Sequence, residues 1–221
     1  MDYKTGTYLI KKLRSKYEVN KVDVGSDSSL KKGLLRFNID RYCVKGIGNL
    51  CILDMHGFFG FVKMETVVLA TEEVDVPLFN ADSISFGKKN VQIAELYETR
   101  INKGDGSLES KCQAVKDQDS DIEDYQSGAH NYSAELMSCS YAKTGKNAAS
   151  RMAESVKAYV DILAGELESA PHRDKEAGKA KNVLFADSLI RNGGPAVSKI
   201  RKMFGEETAV RIIRNHMYGA D

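Results

Sequence analysis

The chain has 221 residues, of which 42% are hydrophobic and 29% are charged, and its formal net charge is +1. This length and apolar content are sufficient for a buried core, so extensive disorder is excluded. The near-neutral charge does not indicate a nucleic-acid-binding protein or one that binds an anionic membrane, and we expect neither partner.

Sequence motifs exclude several further classes of protein. The N-terminal segment "MDYKTGTYLIKKLRSKYEV" lacks the apolar core of a signal peptide, and no stretch approaches the roughly 20 apolar residues that span a bilayer. The four cysteines form no CxxC pair, the histidines show no HExxH spacing, and "GIGNLC" is an incomplete dinucleotide-binding loop. We therefore expect a soluble cytoplasmic protein without a metal site or a nucleotide-binding site.

The N-terminal half begins with a helix and continues as strands. Apolar residues at helical spacing predict a short amphipathic helix within residues 4–17. From about residue 34 to 100 the chain is rich in β-branched and aromatic residues, which predicts strands. Within this region "ADSISFGKKNVQIAELYET" has the pattern of a hairpin with its turn at Gly-Lys-Lys-Asn. Successive strands joined by short turns predict an antiparallel sheet.

The C-terminal half is expected to be helical. Residues 102–131 are polar and acidic, and we interpret them as an exposed connection with room for a short helix. From 132 to 219, including "SAELMSCSYAKTG", apolar residues recur every three or four positions and predict helices. One helix should end at Asn192-Gly193-Gly194, and Pro195 should open the next. The order of the elements predicts an α+β fold in a single domain over residues 1–221.

Carboxylates in the predicted hairpin are the first candidates for chemistry. Alternation places Asp82 on one face of its strand with Ile84, and Glu95 on one face of the next strand with Tyr97. A carboxylate that faces an apolar sheet surface loses solvation, which raises its pKa and suits it to act as a general acid. The alternative, a solvent-facing acid at a strand end, remains open from the pattern alone.

The segment "DVPLFNAD" resembles the D-x-P-x-F-G-x-D segment of the ferredoxin-dependent bilin reductases, a superfamily that also contains red chlorophyll catabolite reductase. Asp75, Pro77 and Phe79 match the first three positions, and Asn80 replaces the glycine. The last aspartate of the family segment, which contacts the tetrapyrrole and takes part in proton transfer, falls on Asp82.

Two further positions carry the resemblance. Bilin reductases of the phycocyanobilin type have a catalytic histidine on the preceding strand, and counting back without a gap places Glu65 there. The chlorophyll-catabolite enzyme is similar to this chain in using a glutamate. The segment from "LIRNGG" onward resembles the family ending, with Asn192 near the expected asparagine and no aspartate beside it.

The resemblance implies a three-layer α/β/α sandwich with a central antiparallel sheet and a pocket between the sheet and the C-terminal helices. It also implies no bound metal or flavin, and an external ferredoxin as electron donor. The expected function is reduction of a linear tetrapyrrole or a similar conjugated pigment. Asp82 and Glu65 would supply protons in one shared pocket, and Glu95 and Asn192 would contact the substrate.

Two other hypotheses stay open. The first is a non-catalytic protein that binds a tetrapyrrole or haem product on the same fold, since a fold does not dictate a function. The second is an unrelated α+β protein in which "DVPLFNAD" is a chance strand entry. Both tetrapyrrole hypotheses require Asp82 and Glu65 to line one pocket, so side chains on opposite faces of the sheet would contradict them as stated.

Overall fold

The computed structural model describes residues 4–125, 135–193 and 195–220, and within them eight strands form one sheet with helices on both faces. The strands are β1 (Val19–Val22), β2 (Ser29–Lys32), β3 (Leu35–Val44), β4 (Gly48–Gly57), β5 (Val62–Thr71), β6 (Leu78–Phe86), β7 (Lys89–Tyr97) and β8 (Tyr141–Gly145). The helices are α1 (Thr5–Arg14), α2 (Ser107–Gln118), α3 (Ala149–Ser169), α4 (Lys175–Asn192), α5 (Pro195–Phe204) and α6 (Glu206–Val210).

The sheet is an antiparallel meander from β3 to β7, with β8 beside β7 and with β1 and β2 both paired to β3. Every pairing between named strands is antiparallel, as the sequence predicted. The β6–β7 turn consists of Gly87 and Lys88 and lies where the hairpin was predicted. Gly87 has φ +59°, a left-handed conformation that glycine adopts without a steric penalty.

Each face of the sheet carries its own apolar core. On one face, side chains such as Leu50, Val67 and Leu69 pack with α1, α2 and α3. On the other face, Val68 and Ala70 pack with α4, α5 and the C-terminal segment. Because successive side chains of a strand point to opposite faces, strands covered on both sides are apolar at nearly every position. The result is the three-layer α/β/α sandwich with a central antiparallel sheet, and this prediction is confirmed.

The prediction of helix throughout residues 132–219 is wrong for Tyr141–Gly145, which forms β8. Its apolar spacing is too short to separate a buried strand from a helix, and pairing with β7 decides in favour of the strand. Strands also begin earlier than the predicted residue 34, at Val19. The acidic connection contains α2, and the part of it beyond residue 125 lies outside the described residues.

The predicted ends of the C-terminal helices are confirmed. α4 ends at Asn192 and is followed by Gly193 in a left-handed conformation at φ +75°, and α5 runs from Pro195 to Phe204. The last helix departs from prediction, because α6 continues as a π-helical segment, Arg211–Met217. In the parts of the chain that the structure describes, no helix has both the length and the hydropathy to cross a bilayer. The assignment of the whole chain to one domain stays a prediction.

Candidate functional site

The register of β5 and β6 decides which carboxylates can act together. Asp82 is paired with Thr66, and Glu65 is paired with Ser83. Directly paired residues in an antiparallel ladder share a face, and the next residue along points to the other face. Asp82 therefore faces α4 and α5, whereas Glu65 faces α1 and α3. The prediction that Asp82 and Glu65 line one pocket is wrong, and both tetrapyrrole hypotheses are contradicted in the form that required this pocket.

Asp82 belongs instead to a polar cluster on the face of the C-terminal helices. Thr66 Oγ1 donates to Asp82 Oδ1 at 2.5 Å across the β5–β6 pair. Asn80 Nδ2 donates to Asp82 Oδ2 at 3.1 Å and to Glu95 Oε2 at 3.5 Å. Tyr97 Oη donates to the same Glu95 oxygen at 2.7 Å. The amide of Asn80 thus bridges the two carboxylates, and the phenol of Tyr97 binds Glu95. We call these five residues the Asp82–Glu95 cluster: Thr66, Asn80, Asp82, Glu95 and Tyr97.

The electrostatics of the cluster favour a proton on Glu95. Only 3% of this residue is exposed, and its burial raises the pKa of the carboxyl group to about 7. That value is the net result of burial, the hydrogen bond from Tyr97, which lowers the pKa, the negative charge of Asp82, which raises it, and the hydrogen bond from Asn80, which lowers it. Asp82 is half-buried and so more accessible than Glu95. Near neutral pH, Glu95 can therefore both donate and accept a proton, which a general acid requires.

Aromatic packing connects the cluster to the helical layer. The ring of Tyr97 lies 4.6 Å from the ring of Phe185 on α4, measured between centroids. Phe185 in turn contacts Tyr218, just beyond the π-helical segment, at 5.2 Å. Such tilted and edge-on ring pairs contribute stabilising free energy in addition to that from the apolar surface they bury. The hydroxyl that binds Glu95 is thus held in place by α4 and the C-terminal segment.

Glu65 occupies a separate environment on the opposite face. It lines a cavity of about 680 Å³ with Asp54 and Lys4, near the start of α1 and α3. The backbone N–H of Gly6 donates to Glu65 Oε2 at 3.3 Å. Burial raises the pKa of Glu65, and the charge of Asp54 raises it further, although the Gly6 hydrogen bond opposes the rise. Glu65 thus contacts the N-terminal helix and has no part in the Asp82–Glu95 cluster.

The other matched positions of "DVPLFNAD" have structural roles. Asp75 accepts hydrogen bonds from the backbone N–H groups of Ile101 and Asn102, at 2.7 and 2.9 Å, and lies 3.3 Å from Arg173. Burial opposes its charge, but these donors hold the pKa of Asp75 below its ordinary value. Phe79 is fully buried in the core on the α1–α3 face. The segment therefore anchors the entry of β6 and so positions Asp82.

The structure does not bring Asn192 to the cluster. Asn192 is the last residue of α4, is exposed, and donates from Nδ2 to Ser188 Oγ of the preceding turn at 3.3 Å. Sequence reasoning also missed Thr66 and assigned no role to Asn80. Counting in steps of two from Asp82 would have placed Asn80 on its face, because alternation in a strand is strict.

Comparison with known proteins gives a structural likeness without a sequence likeness. No protein-family model matches the chain, and no curated protein matches its sequence. Its structure is similar to a crystal structure of phytochromobilin synthase from tomato in complex with biliverdin, with a TM-score of 0.76. The match covers 97% of this chain and 81% of that chain at 12% identity. Likeness at this identity shows a shared fold, which is the α+β sandwich expected of a bilin reductase.

Proposed function

We propose that the chain binds a linear tetrapyrrole against the sheet face of the Asp82–Glu95 cluster and reduces it with electrons from an external ferredoxin-type protein. The observation that carries the proposal is the cluster itself. Two carboxylates share one amide donor beneath a helical layer, and one of them has a pKa of about 7. The similar fold of a protein solved with biliverdin supports this class of ligand.

The chemistry of the ligand matches the chemistry of the cluster. A linear tetrapyrrole presents pyrrole N–H donors along one edge of a conjugated plane, and carboxylates are the acceptors best suited to several such donors. Half-buried Asp82 is the accessible acceptor, and buried Glu95 lies behind it. A buried carboxylate that meets N–H donors recovers part of the solvation that it lost on folding.

The reaction balances with two electrons and two protons for each double bond reduced. The electrons arrive singly from the iron–sulfur protein, and each transfer makes the pigment more basic. Asp82, the accessible carboxyl group, then delivers each proton to the pigment, and the proton that it loses is replaced from Glu95 or from water. Burial, with a smaller contribution from the charge of Asp82, raises the pKa of Glu95 to about 7, so this carboxyl group can bind and release a proton near neutral pH, a property that enzymes use repeatedly to supply protons.

Thr66 favours the second candidate, a non-catalytic tetrapyrrole-binding protein. It occupies the position directly paired with Asp82, and its hydroxyl does not exchange a proton at neutral pH in the way that an imidazole or a carboxylate does. A site that lacks a titratable group at this position retains the hydrogen bonds that hold a pigment. Turnover, rather than binding, separates the two candidates.

An absorbance titration with biliverdin tests the proposal. We expect a red-shifted or sharpened band with micromolar affinity, and the subsequent anaerobic assay with reduced ferredoxin should convert the bound pigment. Binding without any conversion supports the non-catalytic candidate. The absence of a spectral change contradicts both candidate functions, the bilin reductase and the non-catalytic bilin-binding protein.

Two neighbouring substitutions locate the bound pigment. Ile84 and Ser85 follow Asp82 on β6, both are half-buried, and alternation points them to opposite faces of the sheet. Ile84→Trp adds bulk on the face of the cluster and should weaken biliverdin binding at least tenfold. Ser85→Trp adds the same bulk on the α1–α3 face and should leave the affinity unchanged. The reverse result places the ligand in the cavity beside Glu65.

A further inference from the structure

Exposed aromatic side chains cluster at one end of the sheet, where three turns lie next to one another. These turns join β2 to β3, β4 to β5 and β6 to β7. Their large apolar side chains are between 50% and 100% exposed; they are Leu34, Phe58, Phe59, Phe61 and Phe86. We call this set the aromatic tip.

The tip is one contiguous surface. The rings of Phe61 and Phe86 meet edge-on, with 4.8 Å between their centroids. Gly87 N–H donates to the carbonyl of Phe61, and a Cβ on Gly87 would lie 2.9 Å from the Phe61 ring. On the other side, a Cβ on Gly57 would lie 2.7 Å from the carbonyl oxygen of Leu34. The three turns are therefore packed against one another, and their aromatic side chains still project into solvent.

The β4–β5 turn holds its aromatic residues outward at a conformational cost. Phe58 and Phe59 are the two non-glycine residues with positive φ in the described ranges, at 50° and 55°. Bulky residues rarely adopt this left-handed region, and such strain is concentrated at functional sites. Phe59, at 100% exposure, makes no packing contribution to the folded state. Its projection from a strained turn is therefore not explained by stability.

Charge is segregated around the same three turns. Residues 29–37, 56–64 and 83–92 contain no Asp or Glu, but they contain six basic residues: Lys31, Lys32, Arg36, Lys63, Lys88 and Lys89. All six are exposed, and we call them the basic rim. The remainder of the chain has five more acidic than basic residues, so the net charge of +1, on which the expectation of no membrane partner rests, conceals a strong asymmetry.

We propose that the aromatic tip and the basic rim bind the surface of an anionic lipid bilayer. Aromatic side chains that project from turns can enter the headgroup region, while surrounding lysines attract anionic lipids. A lipid surface is favoured over a protein partner because Phe59 is fully exposed and the other four side chains of the tip are at least half exposed. A fluid interface adapts to such a projection, whereas a protein partner needs a preformed pocket for each ring. Such binding at the surface does not require a membrane-spanning helix.

Sedimentation of the full-length chain with lipid vesicles tests this proposal. We expect binding to phosphatidylcholine vesicles that contain about 30% phosphatidylserine, little binding to phosphatidylcholine alone, and weakening as salt is added. Phe59→Ala should reduce binding about tenfold, because it removes one apolar side chain from the interface. Lys88→Glu should reduce binding at least fivefold, because it reverses a charge in the rim.

Two substitutions outside the tip serve as matched controls. Leu184→Ala removes an exposed apolar side chain on α4, and Lys199→Glu reverses an exposed charge on α5; both should bind vesicles as the wild type does. Every substituted position is exposed, so the fold is retained in each variant. Equal binding by the Phe59 and Leu184 variants overturns the proposal. The proposal is also overturned if the vesicles fail to bind while a soluble acidic protein binds in a manner that depends on Phe59.

Discussion

Glu65 and Asp82 lie on neighbouring strands one step apart in register, yet their side chains point to opposite faces of the sheet, because Thr66 is the residue paired with Asp82. A shift of one residue in register exchanges the two faces of a strand completely. The two carboxylates therefore belong to different environments, one beneath the C-terminal helices and the other beside α1.

This separation makes Asp82→Asn and Glu65→Gln a matched pair. If the proposed reductase is correct, Asp82→Asn should abolish turnover and leave biliverdin affinity within tenfold, because the amide retains the shape but donates no proton. Glu65→Gln removes a buried carboxylate from the other face and should leave turnover unchanged. Initial rates with reduced ferredoxin measure both effects. Loss of turnover in the Glu65 variant, with activity retained in Asp82→Asn, would contradict the assignment of the site.

The pKa of Glu95 predicts a dependence of stability on pH. Burial and the charge of Asp82 raise this pKa from an ordinary value of 4.5 to about 7, so the folded state holds the proton more tightly than the unfolded state does. The contribution of Glu95 to the unfolding free energy is therefore greatest below about pH 4.5, and this contribution falls by about 3 kcal/mol as the pH rises to about 7. Glu95→Gln, which mimics the protonated acid, should not show this loss.

Urea denaturation of the wild type and Glu95→Gln at several pH values checks this expectation. The unfolding free energy of Glu95→Gln minus that of the wild type should increase between pH 4.5 and 7, and it should be constant above pH 8. Glu176→Gln, an exposed position on α4, is the control, because water solvates that side chain in the folded and unfolded states alike. A difference for Glu95→Gln that does not change with pH would mean that the carboxyl group is not desolvated.

The layers of the fold and the placement of Asp82 and Glu95 on one face were predictable from the sequence. The part played by Thr66 and the contact between Tyr97 and Phe185 were not, for reasons that lie in the connections between the elements. The two-residue turn at Gly87 and Lys88 fixes the β6–β7 register, so Asp82 and Glu95 could be placed on one face from alternation alone. The β5–β6 connection spans residues 72–77, and a count along the chain does not reveal where pairing resumes across it. Thr66 and Glu65 therefore could not be distinguished without the register. The Tyr97–Phe185 contact depends on how α4 packs, which periodicity does not determine.

Asp75 should be needed for folding rather than for chemistry. Asp75→Ala removes the carboxylate that forms an ion pair with Arg173 and leaves two backbone N–H donors without an acceptor. The substitution should therefore lower the unfolding free energy by about 3–5 kcal/mol. Glu168→Ala breaks an exposed ion pair with Lys16 and should cost less than about 1 kcal/mol. Urea denaturation measures both changes. Similar small losses in the two variants would show that Asp75 does not anchor the β5–β6 connection.

Two helical glycines should respond in opposite directions to the same substitution. A Cβ on Gly178 of α4 would lie 2.0 Å from the carbonyl oxygen of Glu72, a backbone atom that cannot move without displacing the end of β5. Gly178→Ala should therefore lower the unfolding free energy by about 3 kcal/mol or more, since α4 must shift away from the sheet. Gly165 of α3 is exposed and has open space around its Cα, so Gly165→Ala should raise the unfolding free energy by about 0.5–1 kcal/mol through helix propensity.

Because α4 carries Phe185, which packs on the Tyr97 ring, Gly178→Ala should also weaken biliverdin binding, whereas Gly165→Ala should not. Thermal unfolding measures the stability of both variants, and the biliverdin titration measures whether a shift of α4 changes ligand binding at the Asp82–Glu95 cluster. A Gly178 variant as stable as the wild type would show that α4 does not pack closely against the Glu72 carbonyl.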